Sequence, residues 1–456
     1  MRSYGIIQGG PHFQVLSPEQ VRDIHNATLE VLERTGTEVY DDEALDLLRK
    51  GGAKVDGSRV RFPAGLVEWA IEAAPSRIAL YDREGSPALD LSGYNVYFGP
   101  GPTCPNILDV DTGERRPVKK QDVMDYARLC DRLSHIDFVM SMGLISDCPT
   151  EVSDVEEFAA MARNTRKPIV AWSWNEDGAR DILDMALAFR GDVEELRMSP
   201  FYILYAEPTA PLRHTRDAVK KLLFMAERGL PVVYGAGPVG GASSPLTIAG
   251  MIVTGSSEVL SGLVMAQLKR EGAPFVYGSG TGPMDMSTMM VAYGAPEFML
   301  GQAGICQMAR FYGLPSWGFG GCGEAKVPDQ QAALQSALWN TMAGLMGANL
   351  VHDVGYLESA MTGSMEMLVI NNEVIGMVKR LLEGIRVSPE ELALDTIHQV
   401  GPGGHFLEQG RKTMGDRARE QVKEIMAQYR PQPVDREGYL DSILSRARKR
   451  IATNTN

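Results

Sequence analysis

The chain of 456 residues and 49.8 kDa is 44% hydrophobic and 23% charged, the balance of a globular protein whose core can stand without disulfides or metals. Its net charge of −13 argues against a general nucleic-acid binder, which must present a basic face. The N-terminus lacks the apolar core of a signal peptide. The longest uncharged stretch, 230–257, is cut by Gly235, Gly237, Pro238, Gly240, Gly241 and Pro245, so neither secretion nor a membrane span is expected.

Residues 1–90 read as an N-terminal helical cap. Apolar residues recur at helical spacing over 18–32, and 41–48 and 65–74 suggest two further helices. Between 91 and 384 the chain alternates strand and helix. Short apolar, β-branched or aromatic runs begin near Asn95, Asp137, Pro168, Phe201, Pro231, Pro274, Leu314 and Ala348, about 30 to 43 residues apart, the length of a βα unit with its loop. Helical periodicity fills the gaps, clearly at 155–164, 180–189, 215–228, 258–270, 296–312 and 330–346. Gly229-Leu-Pro231, Gly272-Ala-Pro274 and Gly313-Leu-Pro315 mark αβ loops, the glycine ending a helix and the proline starting a strand. Eight units and a closing helix at 368–382 favour an α/β protein built as a (β/α)8 TIM barrel; a doubly wound open sheet is the competing architecture. Residues 385–456 read as a C-terminal helical extension, with helices near 389–400, 414–427 and 436–451. The last carries Arg446, Arg448, Lys449 and Arg450, either a solvated helix end or a docking patch. The five cysteines are odd in number and form no C-x-x-C pair, which suggests reduced thiols in the cytoplasm. No H-x-x-x-H spacing points to a bound metal.

A barrel places its active site at the C-terminal ends of its strands. Those ends are rich in aromatics: Tyr97 and Phe98, Trp172 and Trp174, Tyr205, Tyr234, Tyr277, Trp317 and Tyr356. Such rings either fill the barrel mouth or form a cage that attracts a cation through their quadrupoles, at about 0.5 to 2 kcal/mol each. Glu207, Asp285 and Glu324 lie close by in sequence and would add negative potential. Gly318-Phe-Gly-Gly-Cys-Gly323 formally matches a G-x-G-x-x-G run, so Gly321 and Cys322 either let a substrate approach the backbone or belong to a phosphate cradle. His352 ends the eighth strand; it is a ligand or proton-handling residue, or a satisfied buried one. His352, Glu207 and Glu324 are the candidate catalytic groups. Tyr97, Phe98, Trp172, Trp174, Tyr205, Tyr234, Asp285, Trp317, Gly321, Cys322, His352 and Tyr356 are the candidate substrate contacts. His405, in a glycine-flanked turn, is assigned a structural role.

Several stretches together carry a family resemblance: Tyr97-Phe-Gly-Pro-Gly, Leu108-Asp-Val-Asp-Thr-Gly-Glu-Arg-Arg-Pro, Gly229-Leu-Pro-Val-Val, Gly241-Ala-Ser-Ser-Pro-Leu-Thr-Ile-Ala-Gly, Gly294-Ala-Pro-Glu-Phe, Ala325-Lys-Val-Pro-Asp-Gln-Gln-Ala, Gly347-Ala-Asn-Leu-Val and Gly401-Pro-Gly-Gly-His-Phe-Leu. With these the chain resembles the trimethylamine:corrinoid methyltransferase superfamily, the MttB-like proteins. The resemblance implies a (β/α)8 barrel that demethylates an amine and passes the methyl to the Co(I) of a separate corrinoid protein. The archaeal trimethylamine enzymes carry pyrrolysine in the barrel. This chain has only standard residues and looks like the branch that includes glycine betaine demethylases. Where many relatives have Ser-Asp-Ala-Lys, it has Gly323-Glu-Ala-Lys326, so the resemblance leaves the choice of amine open. The expected partners are a quaternary amine and a corrinoid (cobalamin) protein, with oligomeric state open between monomer and homo-oligomer. No Asp-x-His-x-x-Gly motif suggests cobalamin held tightly by this chain itself. A barrel lyase or isomerase acting on a phosphorylated molecule, and a non-catalytic betaine-binding protein, are the alternatives.

Overall fold

The computed structural model describes residues 10–392, 394, 419, 422–427 and 437–454. Its centre is a sheet of seven parallel strands in the spatial order Tyr97–Phe98, Leu350–His352, Ser316–Phe319, Phe275–Ser279, Val232–Ala236, Tyr202–Ala206, Ile169–Trp172. The two edges are joined through the segment around 137–140. Asp137 N–H donates to the Phe98 carbonyl on one side (2.7 Å), and Val139 bridges Ile169 in parallel on the other. The second strand of the barrel is thus reduced to a bridge, and the sheet closes with eight members in chain order.

A helix follows each strand: Lys120–Arg132, Ser153–Asn164, Glu176–Arg190, Arg216–Arg228, Ile248–Lys269, Pro296–Phe311, Gln330–Met346 and Met365–Leu382. Local chemistry sets their ends. Asn175, Thr215, Thr247, Asp329 and Ser364 each cap a helix N-terminus by accepting a backbone N–H. Gly229, Gly272 and Gly313, the first residues of the three tripeptides, all have φ between +65° and +78°, a conformation only glycine adopts cheaply. The helix Ile248–Lys269 is long and apolar enough to cross a membrane, and 72% of its most apolar stretch is buried inside the protein. The glycines and prolines that interrupt the uncharged stretch all precede it.

Residues 10–91 depart from a purely helical cap. Helices Pro18–Glu30 and Ala64–Ala73 pack on the outside of Ile248–Lys269. Between them, strands Thr37–Val39, Lys54–Asp56 and Arg59–Arg61 form a small sheet that recruits Arg213–His214 from the loop after the fourth barrel strand. The hairpin Ile78–Tyr81/Pro87–Leu91 then plugs the lower end of the barrel. Its Ile78, Leu80, Leu89 and Leu91 share one apolar cluster with the inward side chains Tyr97, Phe138, Met140, Val170, Ile203, Val233, Val276, Trp317 and Leu350. This segment closes the bottom and leaves the opposite, C-terminal mouth to the loops.

The helix Glu437–Asn454 lies against Glu176–Arg190. Arg446 pairs with Asp184 (3.0 Å), Arg450 with Asp181 (2.8 Å), and Arg448 with the buried Glu156. Its basic end thus pairs with acidic groups of the barrel wall while Arg446, Arg448 and Lys449 remain exposed to solvent. The expected helices at 389–400 and 414–427 are described only in part, as Pro389–Leu392 and 422–427, and His405 lies outside the described residues.

Candidate active site

Above the plug, the C-terminal mouth opens into a cavity of about 530 Å³. Period-two alternation decides which side chains reach it. On the third strand Val170 points into the barrel, so Trp172 does too, one layer higher, and Trp174 follows at the rim. On the fourth strand Ile203 and then Tyr205 point inward. Trp172 and Tyr205 are register partners, as are Phe319 and His352. Gly278 faces Trp317 across the neighbouring pair; a Cβ there would stand 2.6 Å from that of Trp317, so the glycine makes room for the indole.

Six rings face the cavity: Trp172, Trp174, Tyr205, Tyr293, Phe319 and Tyr356. Five of them are held by hydrogen bonds, and Phe319 packs on Phe298 and His352. The Trp172 indole N–H donates to Glu157 (2.8 Å), and that of Trp174 donates to Ser153 (3.0 Å); the two rings meet edge to face at 4.9 Å. The Tyr205 hydroxyl donates to Glu207 (2.6 Å) and that of Tyr356 to the Met142 carbonyl (2.6 Å). Tyr293 is positioned by its own carbonyl, which accepts from the Trp339 indole (2.7 Å). Glu207 and Asp353 add carboxyl groups to the wall. Lys221 is the one ammonium or guanidinium lining the cavity, and its Nζ donates to the Ser173 carbonyl (2.5 Å).

His352 reaches the cavity as a neutral ring. Its Nδ1 lies 2.7 Å from the Gly318 carbonyl, which can only accept, so Nδ1 carries the proton and Nε2 presents a lone pair. Burial pushes its pKa down to about 3. A neutral ring presenting only a lone pair does not hold a substrate carboxylate. Burial has the opposite sense on the carboxyls around it, raising Asp353 and Glu157 to about 8 and Asp154 to about 6, because the loss of water outweighs the hydrogen bonds each gains and, at Asp154, the pull of Lys221.

Of the sequence candidates, Trp172, Trp174, Tyr205, Glu207, His352 and Tyr356 line this cavity. Trp317 and Tyr97 sit below it in the barrel interior, and the Tyr97 hydroxyl accepts from the Asp90 N–H at the plug. Phe98 and Tyr234 alternate outward and are buried against the helices; Tyr234 bonds His214 (2.8 Å), and Tyr277 likewise bonds Ser256 (2.6 Å). Asp285 and Glu324 lie on a separate depression of about 570 Å³ outside the mouth. The loop after the seventh strand turns outward there because Gly320 and Gly321 are packed on Val351 and Val354. That packing leaves the glycine run no room for a phosphate. Cys322 is buried, and desolvation with Asp353 nearby raises its thiol well above the usual range, so it is no nucleophilic thiolate. Asp353, Tyr293, Lys221 and Phe319 were not among the sequence candidates. Asp353 adjoins His352 and Phe319 ends the seventh strand, so both carried the strand-end signal, whereas Tyr293 in mid-loop and Lys221 on a helix have nothing local to mark them.

Over residues 2–409 the chain matches the family described as trimethylamine methyltransferase (MTTB). It is 33% identical to the trimethylamine methyltransferase MttB of Desulfitobacterium hafniense, over 92% of this chain and 90% of that protein. It is 36% identical to MttB2 of Methanosarcina mazei, over 87% of this chain and 82% of that one, and 30% identical to the glycine betaine methyltransferase of D. hafniense strain Y51, over 88% and 84%. The fold is similar to that of the monomethylamine methyltransferase MtmB of Methanosarcina barkeri, with a TM-score of 0.54 at 13% identity, covering 97% of this chain and 88% of that one.

Proposed function

The chain belongs to the trimethylamine methyltransferase family, and from that premise we propose that it removes a methyl from a quaternary amine of the betaine type, such as glycine betaine, and delivers it to the Co(I) of a corrinoid on a separate protein. The observation that carries the reading is the make-up of the cavity: six aromatic rings and two carboxyls around a single ammonium. Ring faces attract a cation through their quadrupoles, whereas a phosphorylated substrate would find Lys221, already held by Ser173, as the ammonium on a mostly aromatic wall.

The chemistry asks little of the side chains beyond position. A quaternary nitrogen already bears the charge that makes it a neutral leaving group, so losing a methyl cation equivalent leaves a neutral tertiary amine. The walls hold the other methyls, direct one toward the mouth, and keep water from the transferring carbon. Neutral His352 and the Tyr205–Glu207 pair supply acceptors on the wall. Lys221 is the group suited to a substrate carboxylate. The corrinoid is the second substrate, and the open mouth is where it would approach.

Mixing the protein with Co(I) cobalamin and glycine betaine, trimethylamine or choline, and following methyl-cobalamin absorbance, tests the proposal. Methylation from a quaternary amine, faster with a corrinoid protein than with free cobalamin, supports it. Binding of the amine without methylation would instead leave a betaine-binding protein.

A further inference from the structure

Asp353 leaves the eighth strand in a left-handed conformation, φ +70°, which a non-glycine residue holds only when its surroundings require it. The turn drives its side chain into the cavity wall, where the residue is 3% exposed. Gly101 faces it from the loop after the first strand, and a Cβ at that glycine would overlap the Asp353 carboxyl. The titratable groups around it are uncharged at neutral pH. They are the Tyr293 phenol, which donates to it, His352 Nε2 at 3.5 Å, the phenols of Tyr205, Tyr356 and Tyr126, and the thiols of Cys104 and Cys322. Lys221, on the same cavity, is held by Ser173 and faces Glu207 and Asp154. Among the described residues no lysine or arginine forms an ion pair with Asp353. The fold has therefore built a buried carboxyl, aimed at an aromatic cavity, without a counter-charge.

We propose that Asp353 is a proton-exchanging counter-ion: it is the neutral acid in the empty cavity, and a quaternary ammonium entering the cavity takes the place of its proton. The proposal rests on the reading of the cavity as a cation site and adds the partner charge and its regulation by pH. The exchange balances: carboxylic acid plus free ammonium gives a carboxylate–ammonium pair and one proton, which leaves to water through the mouth. Burial holds the acid form up to a pH of about 8, so the exchange operates across the neutral range. Selectivity follows, because a neutral molecule of the same shape has nothing to offer in return for the proton.

Calorimetry in two buffers of different ionisation enthalpy counts the protons. With tetramethylammonium at pH 7 we expect about one proton released per ligand bound, falling toward zero above pH 9 as Asp353 ionises in the free protein. With 2,2-dimethylpropan-1-ol, a neutral alcohol built on the same branched core, we expect none. Asp353→Asn should abolish the release and weaken tetramethylammonium at least tenfold while sparing the alcohol. Tyr293→Phe provides an independent variant. Losing the donated hydrogen bond favours the acid, so release should persist to higher pH than in the wild type. Binding of tetramethylammonium with no proton released at pH 7, or an unchanged release in Asp353→Asn, overturns the inference and leaves the cation site standing. Failure to bind any quaternary ammonium overturns both.

Discussion

The indole of Trp317 stacks beneath the imidazole of His352, with ring centroids 4.2 Å apart and planes inclined by 21°. The indole is the floor that keeps the imidazole level, the Gly318 carbonyl fixes its tautomer, and burial keeps it uncharged. Imidazole nitrogen NMR should therefore show His352 unprotonated from pH 8 down to 5. A titration near the ordinary histidine value would refute the assignment. Trp317→Ala should lower stability by about 3 to 5 kcal/mol in urea melts, since it empties the centre of the barrel.

Trp172 and Trp174 supply edge-to-face rings to the cavity, whereas Tyr97 lies beneath it. Leucine at either tryptophan should weaken tetramethylammonium by about 2- to 30-fold, and the neutral alcohol less, because only the cation loses a quadrupole term. The two ligands should respond alike to Tyr97→Leu. A discriminating effect at Tyr97, or an indiscriminate one at both tryptophans, would contradict the cage drawn here.

Period-two geometry explains which parts of this site were legible in the sequence. Eight strands could be read from their spacing, and Trp172, Trp174 and Tyr205 from their place at strand ends. The spacing could not say which residue of a strand faces inward: Tyr234 and Tyr277 look equivalent to Tyr205 in the sequence, yet they fall one step out of phase and enter the helical layer. Glu324 was misplaced because its loop follows the close packing of Gly320 and Gly321 on Val351 and Val354, and Asp285 because it lies on a different loop that reaches the same outer depression; no local pattern encodes either. Tyr293 is held at the cavity by a hydrogen bond from Trp339 on the helix Gln330–Met346, one βα unit further on, a long-range relation invisible before folding.

Lys221 is the cation available to a substrate carboxylate. Lys221→Met should raise the Michaelis constant for glycine betaine several-fold while leaving the binding of choline, which lacks the carboxylate, nearly unchanged. Equal losses for both would remove the assignment.

The buried carboxyls give stability a distinctive pH dependence. Asp154, Glu157, Glu258 and Asp353 have pKa values raised to between about 6 and 8. The folded protein binds their protons more tightly than the unfolded chain does, so their contribution is complete below about pH 4 and is lost as pH rises through 6 to 8. His214 and His352, lowered to about 3, act in the opposite sense but only below about pH 6.5. Between pH 6.5 and 7.5 the carboxyls dominate; Lys167, lowered by burial to about 8, acts in the opposite sense only as the pH nears that value. Stability should fall there by roughly 1 kcal/mol per pH unit for each group still protonated, before a bound cation is added. A melting temperature that rises over this interval would contradict the sign.

The hairpin Ile78–Leu91 that plugs the barrel also orders events in time. Among the described residues the chamber is sealed below, so in the proposed reaction an amine would leave by the route it entered, and an acceptor collecting its methyl would stand in that doorway. The spent amine stays trapped until the methylated acceptor withdraws, and a fresh one waits outside meanwhile. Turnover then follows a compulsory sequence, amine on first and off last. Double-reciprocal plots intersect rather than run parallel, and surplus acceptor inhibits by blocking the entrance.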